Sequence, residues 1–193
     1  MSYQVIKVTT EDQLEKVYAF RYKIVCEKLG VAELDNCEPN RETDEYDVYS
    51  EHFAAFDEVG EVIACTRLIH HSPIGYPTTN HMNYDTDIWH FDPEQLGELS
   101  RVFVTPELRS IQKLKPLFND LKIVIYPTMV NLNIAYTVAA LEKPFFRLLN
   151  MLHFPYKRIG DLQTYVGQRY PSILYMDELY DANRGLFNES AVQ

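Results

Sequence analysis

Two arginines stand where an amphipathic chain ordinarily places apolar side chains, and they constrain the fold more than any other feature. Arg21 shares a helical stripe with Leu14, Val17, Tyr18 and Val25, at the three-, four- and seven-residue spacings of one helix face. Arg67 lies in the β-rich run 61–70, where alternation puts it on one strand face with Ile63, Cys65 and Ile69. A guanidinium stays protonated, and burying it unpaired costs several kcal/mol in lost hydration. A fold that buries both faces must therefore bring carboxylates from elsewhere in the sequence. The nearest suppliers by composition are Asp44 and Asp47, in the acidic stretch from Glu33 to Ser50, and Glu98, which heads the strand containing Arg101. Three arginines and those three acids would make a neutral, partly buried cluster. The plain alternative, a cationic stem lying on apolar surface with its head in water, suits one arginine better than two.

The remaining pattern supplies a frame for such a cluster. Residues 3–9 read as a strand, and Thr10-Glu-Asp-Gln13 matches a capping box opening a helix that should end near Gly30. Runs 52–57 and 61–70 around Glu58-Val-Gly60 predict an antiparallel hairpin. Residues 71–97, punctuated by Pro73, Gly75, Pro77 and Pro93, look irregular, and 98–104 predicts another strand. A helix is expected from Pro116 toward Asn133, with a kink at Pro127 or a strand at Ile123-Val-Ile125 as the competing readings. A strand at 135–140, a short helix at 143–152 and a strand at 172–178 complete the order β α β β β α β α β. That order predicts an α+β fold with a central, mostly antiparallel sheet flanked by helices, in a single domain over residues 1–193.

Charge and composition narrow the function classes. A net charge of −10 disfavours nucleic acid and anionic membranes as partners of the whole surface. A local basic patch at Arg109, Lys113, Lys115 and Lys122, or at Lys143, Arg147, Lys157 and Arg158, could receive an acidic carrier; solvated helix faces explain the same residues. No apolar run reaches the length of a membrane span, and Met1-Ser-Tyr-Gln-Val-Ile-Lys7 lacks the pattern of a signal peptide. Three cysteines without CxxC spacing suit a reducing compartment, so the expected location is the cytoplasm. His70, His71, His81 and His90 show no ligand spacing, so no metal is expected, and no GxSxG elbow points to nucleophilic catalysis.

The set Arg21, Asp44-Glu-Tyr-Asp47, Arg67 within Cys-Thr-Arg-Leu, and Glu98-Leu-Ser-Arg101 resembles, in order and spacing, the motif series of the acyl-homoserine-lactone synthases. Gly167-Gln-Arg169-Tyr-Pro171 and the segment Glu142-Lys-Pro-Phe-Phe-Arg147 are more similar to the related N-acyl amino acid synthases and exosortase-associated acyltransferases. The resemblance implies a GNAT-like (acyl-CoA N-acyltransferase) fold. It further implies an enzyme that moves a fatty acyl group from a thioester to the amine of an amino acid or similar small molecule. Val25 and Val31 stand where the lactone synthases place aromatic residues, which points the acceptor away from S-adenosylmethionine. The stretch Pro106–Gln112 has none of the glycines with which acetyl-CoA-dependent relatives hold pyrophosphate. The implied donor is therefore the acyl-phosphopantetheine thioester of acyl carrier protein, with acyl-CoA the second choice.

Within that resemblance Glu98 is the candidate base, acting directly or through a water, against the plain reading of an acid paired to an arginine. Strands 98 and 135 should splay to admit the pantetheine arm, with a backbone amide near Phe103 as oxyanion donor. A joint role for Glu98 and Arg101 requires a bulge between them. Arg21, Asp44, Asp47, Arg67 and Ser100 are the candidate acceptor-binding residues, the aspartates either holding the acceptor's ammonium or bracing the arginines. Phe145, Phe146, Leu149 and Leu152 are candidate walls for the acyl chain, and each is equally a core residue. Lactone synthesis from S-adenosylmethionine and a GNAT-shaped binding protein without chemistry are the rival readings.

Overall fold

The computed structural model describes residues 2–28 and 37–190; the expected helix end at Gly30, and Val31, lie outside them. Two compact units divide the chain, one of residues 1–68 and 101–125, the other of residues 69–100 and 126–193.

In the first unit, β1 (Tyr3–Lys7) pairs antiparallel with β4 (Ser50–Asp57), Tyr3 opposite Asp57 and Lys7 opposite Phe53. Thr10 caps α1 (Glu11–Tyr22) as a capping box, its hydroxyl accepting from the Gln13 amide while the Gln13 side chain accepts from the Thr10 amide. The helix runs directly into a π-helical turn at Lys23–Lys28. β2 (Cys37–Glu38) and β3 (Arg41–Glu42) form a two-stranded ribbon. After the turn at Gly60, whose φ of 79° suits glycine, comes β5 (Val62–His70), which leaves this unit at Leu68. The strand order here is β1-β4-β5-β6, with β6 (Leu96–Val104) entering at Arg101. Val17, Phe20 and Ile24 pack on Ala54, Val62 and Cys65, with Phe56 and Phe103 against them.

Helix α3 (Ile111–Asn131) starts earlier than Pro116 and passes through both Pro116 and Pro127 without a strand at 123–125. Leu114, Leu117, Phe118, Leu121 and Ile125 are all buried at helical spacing, and that continuous face outweighs the local preferences of proline and the β-branched run.

In the second unit the order is β6-β7-β10-β8, comprising β7 (Tyr136–Glu142), β10 (Gln168–Tyr175) and β8 (Lys157–Arg158), with β9 (Gln163–Thr164) also on β10. β7 and β10 pair antiparallel over their whole length, whereas β6 and β7 run parallel. The expected mixed, mostly antiparallel sheet with flanking helices is what forms. The segment expected to be irregular contains α2 (Pro77–His81), with Pro77 in its first turn. α4 (Lys143–Met151) matches its expectation. The last strand does not: it occupies 168–175 rather than 172–178, and α5 (Met176–Ala182) and α6 (Arg184–Ser190) follow. Asp177 and Glu178 in the first turn of α5 favour a helix start there.

Among the described residues, no helix is long and apolar enough to cross a membrane. Cys65 is a buried free thiol, while Cys26 is disulfide-bonded, which runs against the reducing compartment expected from the cysteine pattern.

Candidate active site

The first unit gathers the arginines. Arg21 and Arg67 are 1% and 0% exposed, so the faces that carry them are fully buried. Asp47 Oδ1 accepts from Arg21 Nη1 at 2.7 Å and Arg67 Nη1 at 2.7 Å, and its Oδ2 accepts from Arg21 Nη2 at 3.0 Å and the Asp44 amide at 2.8 Å. Asp44 Oδ1 accepts from Arg67 Nη1 at 2.5 Å and the Tyr46 amide at 3.0 Å, and its Oδ2 from Arg67 Nη2 at 2.7 Å and Arg101 Nη2 at 2.9 Å. The third acid is Glu42, wholly buried, which accepts from Arg21 Nε and from Arg101 Nη2 at 2.9 Å. The sequence assigned that position to Glu98 and passed over Glu42. The overlooked signal is the spacing Glu42-x-Asp44, which puts two acids on one side of an extended segment.

Three guanidiniums and three carboxylates give a formally neutral cluster. A carboxylate offers about four lone-pair sites, and on both aspartates donors of this chain take all of them. Burial works against the charge on Arg21, but Asp47 and Glu42 outweigh it and raise its pKa. Burial likewise opposes ionisation of Asp47, and Arg21 and Arg67 overcome it, holding the carboxyl well below the usual range; Asp44 is lowered in the same way by Arg67 and Arg101.

His52, on β4, borders this cluster. Its ring is 5% exposed, meets Tyr18 edge-on at 5.6 Å, and places Nε2 3.6 Å from Asp47 Oδ1. Among the described residues, neither ring nitrogen has a hydrogen-bond partner. Burial pushes its pKa from 6.5 down to about 4, against the pull of Asp47 and with the help of Arg21 and Arg67. Between those two values the unfolded chain binds more protons than the folded one, so stability falls as pH drops from 6.5 toward 4, by about 3 kcal/mol in all. Thermal midpoints measured from pH 7.5 to 4.5 should show this decline, and His52→Phe should flatten it. An equal slope in the variant would remove His52 as the cause. Asp44 and Asp47, whose pKa values are lowered, lose their contribution only below that window.

The second unit carries Glu98, 2% exposed. Its Oε2 accepts from the Thr78 backbone amide of α2 at 2.8 Å. The β6–β7 register runs from Leu96 opposite Tyr136 to Glu98 opposite Val138, while β7 pairs onward with β10 to Glu142. The parallel ladder thus stops at Glu98, as the expected splay requires. Arg101 has φ 53°, a left-handed conformation that departs from the extended backbone of β6. Ser100 is half-buried. Phe103 packs on the core of the first unit, and its backbone amide lies against the Cys65 thiol, whose Sγ is 3.6 Å from the Arg101 carbonyl.

The outer candidates divide by burial. Leu149 and Leu152 are buried, and Phe145 and Phe146 are half-buried, Phe146 leaning on Tyr170. Arg109, Lys113 and Lys115 are exposed around the start of α3. Lys122 is not part of that surface: it is wholly buried, and burial pushes its pKa down to about 8.

The acetyltransferase (GNAT) domain family matches residues 20–118, just over half of the chain. Among solved structures, the CoA-dependent acyl-homoserine lactone synthase BjaI, bound to SAM and isopentyl-CoA, is similar with a TM-score of 0.75 at 17% identity, over 96% of this chain and 90% of that one. The AHL synthase LasI gives 0.72 at 13% identity, over 95% and 94% of the two chains. FeeM, an N-acyl amino acid synthase from uncultured soil microbes, gives 0.61 at 14% identity, over 94% of each. No curated protein matches the sequence. Likenesses at such identities are likenesses of fold, and the family match adds the class of chemistry: the chain belongs to the acetyltransferase (GNAT) domain family and is an acyltransferase.

Proposed function

We propose that the chain moves a fatty acyl group from the thioester of acyl carrier protein to the amine of an amino acid or similar small molecule. The observation that carries this reading is the buried carboxylate of Glu98 at the point where the parallel ladder of β6 and β7 ends. Glu98 takes one proton from the acceptor's ammonium. The freed nitrogen attacks the thioester carbonyl, the C–N bond forms as the C–S bond breaks, and the leaving thiolate takes up the second proton that the nitrogen sheds as it becomes an amide. Ser100 adjoins the acceptor, whereas the Phe103 amide, the oxyanion donor expected from the sequence, is directed at the Cys65 thiol and is not given that role. Arg21, Arg67 and Arg101, braced by Asp44, Asp47 and Glu42, hold β5 and β6 in place for this step. The filled lone pairs of the aspartates favour bracing over capture of an ammonium.

Phe145, Phe146, Leu149 and Leu152 line the acyl chain. The absence of glycine in Pro106–Gln112 and the exposed Arg109, Lys113 and Lys115 favour an acidic carrier over CoA as donor. The test is thiol release and product mass from acyl carrier protein or CoA thioesters, offered with pooled amino acids, simple amines and S-adenosylmethionine. An N-acyl product with higher kcat/KM for the carrier thioester is expected. Consumption of S-adenosylmethionine would replace the acceptor class, and no thiol release from any donor would overturn the reading.

A further inference from the structure

The connection from His71 to Gln95 holds a single five-residue helix, α2. It far exceeds the roughly 12–15 residues beyond which connections without structure of their own are uncommon and usually functional. It folds back on itself around a cleft of about 750 Å³, within the ordinary size of small-molecule sites. Tyr76, Tyr84, Trp89 and Phe91 line it. The rings of Tyr84 and Phe91 are 5.5 Å apart, and Phe91 rests on Tyr136 of β7 at 5.7 Å, so this wall is anchored to the sheet. Glu94 is the one acid in the lining, which includes no lysine or arginine.

The cleft is lined by the elements that hold Glu98. Leu96 and Tyr76, both 5% exposed, lie deepest in the lining, and the Tyr76 hydroxyl donates to the Leu96 carbonyl. Leu96 and Glu98 are two apart on the regularly paired part of β6, so they share a face at a rise of about 6.6 Å. Thr79 of α2 lines the cleft while the amide of its neighbour Thr78 holds the Glu98 carboxylate. One segment therefore both forms the cleft and positions the candidate base.

We propose that this cleft receives the acceptor, and that the acceptor is a primary alkylamine that carries an aromatic ring and lacks a carboxylate. The proposal rests on the acyl-transfer reading of Glu98. An aromatic ring stacks among the four aromatic walls, and an ammonium is attracted to ring faces and to Glu94. The carboxylate of a free α-amino acid would instead meet Glu94 with no lysine or arginine in the lining to offset it, only the imidazoles of His71 and His90. The arginine cluster offers the ammonium no alternative site, because both aspartates are filled by its own donors.

Trp89 is the chain's one tryptophan, so its fluorescence reports this cleft. The full-length protein is titrated with tyramine, tyrosine, n-butylamine and 3-(4-hydroxyphenyl)propionate, without any thioester. Tyramine should give a saturable change with a Kd about tenfold or more below that of each other compound, and Glu94→Gln should erase most of that advantage. Equal binding of tyrosine, or no saturable change with tyramine, overturns the proposal. The same samples are then given acyl carrier thioester. Acylation of tyramine supports the proposal; acylation of other amines while tyramine is untouched overturns it and leaves acyl transfer intact. Tyramine binding with no thiol release from any donor overturns acyl transfer itself, and the acceptor assignment with it.

Discussion

Arg67→Ala is expected to lower the thermal midpoint by about 6–20 °C, from a cost of about 3–5 kcal/mol for stranding one side of a buried ion pair at about 2–4 °C per kcal/mol in a chain of this size. The physical reason is local. Arg67 is wholly buried and supplies one donor to each oxygen of Asp44 and one to Asp47 Oδ1. Its removal leaves a buried cluster with a net negative charge. Arg67→Lys should recover little of the loss, because a compact ammonium cannot fork between two aspartates as a planar guanidinium does. The double variant Arg67→Met, Asp44→Asn restores neutrality and should be more stable than the sum of its single changes by about 1–3 kcal/mol. Calorimetric melts of the parent, the two single variants and the double variant close the cycle. A midpoint for Arg67→Ala within about 2 °C of the parent would mean that the cluster carries no more than a surface ion pair does.

That burial of arginine was legible because it rests on periodicity alone. A stripe of Leu14, Val17, Tyr18 and Val25 buries whatever stands at position 21, and alternation does the same at 67. Which acids answer them was only half legible. Asp44 and Asp47 stood out in an acidic stretch, but Glu42 lies on a two-residue strand whose one pattern signal is its spacing from Asp44. Glu98 was given to the arginines by proximity to Arg101 in sequence, whereas the structure shows its carboxylate held by the Thr78 amide, a backbone donor that no side-chain pattern announces. The same limit hid the cleft: its walls come from a segment with neither helical nor strand period, so Tyr76, Trp89 and Glu94 carried no common signal. Helix α3 failed in the opposite direction. Pro116, Pro127 and Ile123–Ile125 spoke locally against a continuous helix, and the buried face from Leu114 to Ile125 overrode them.

Glu98→Gln separates a catalytic carboxylate from a merely structural one. Glutamine keeps the shape and a carbonyl oxygen able to accept from the Thr78 amide, so folding should change by no more than about 1 kcal/mol. It cannot take a proton, so kcat near pH 7 should fall by about 10²- to 10⁴-fold, the usual contribution of a placed general base. The deficit should also depend on pH in a particular direction. A base is needed only while the acceptor is an ammonium; as pH rises toward the amine's own pKa, solvent supplies the neutral nucleophile and the variant gains on the parent. Rates measured from pH 6.5 to 9.5 should therefore converge, the rate of the Glu98→Gln variant climbing about tenfold per pH unit until the amine is neutral. A structural role predicts something else: a lowered melting midpoint and an activity loss of the same size at every pH. Parallel profiles with unchanged stability would place the proton acceptor on another group and leave Glu98 a structural role at the Thr78 amide.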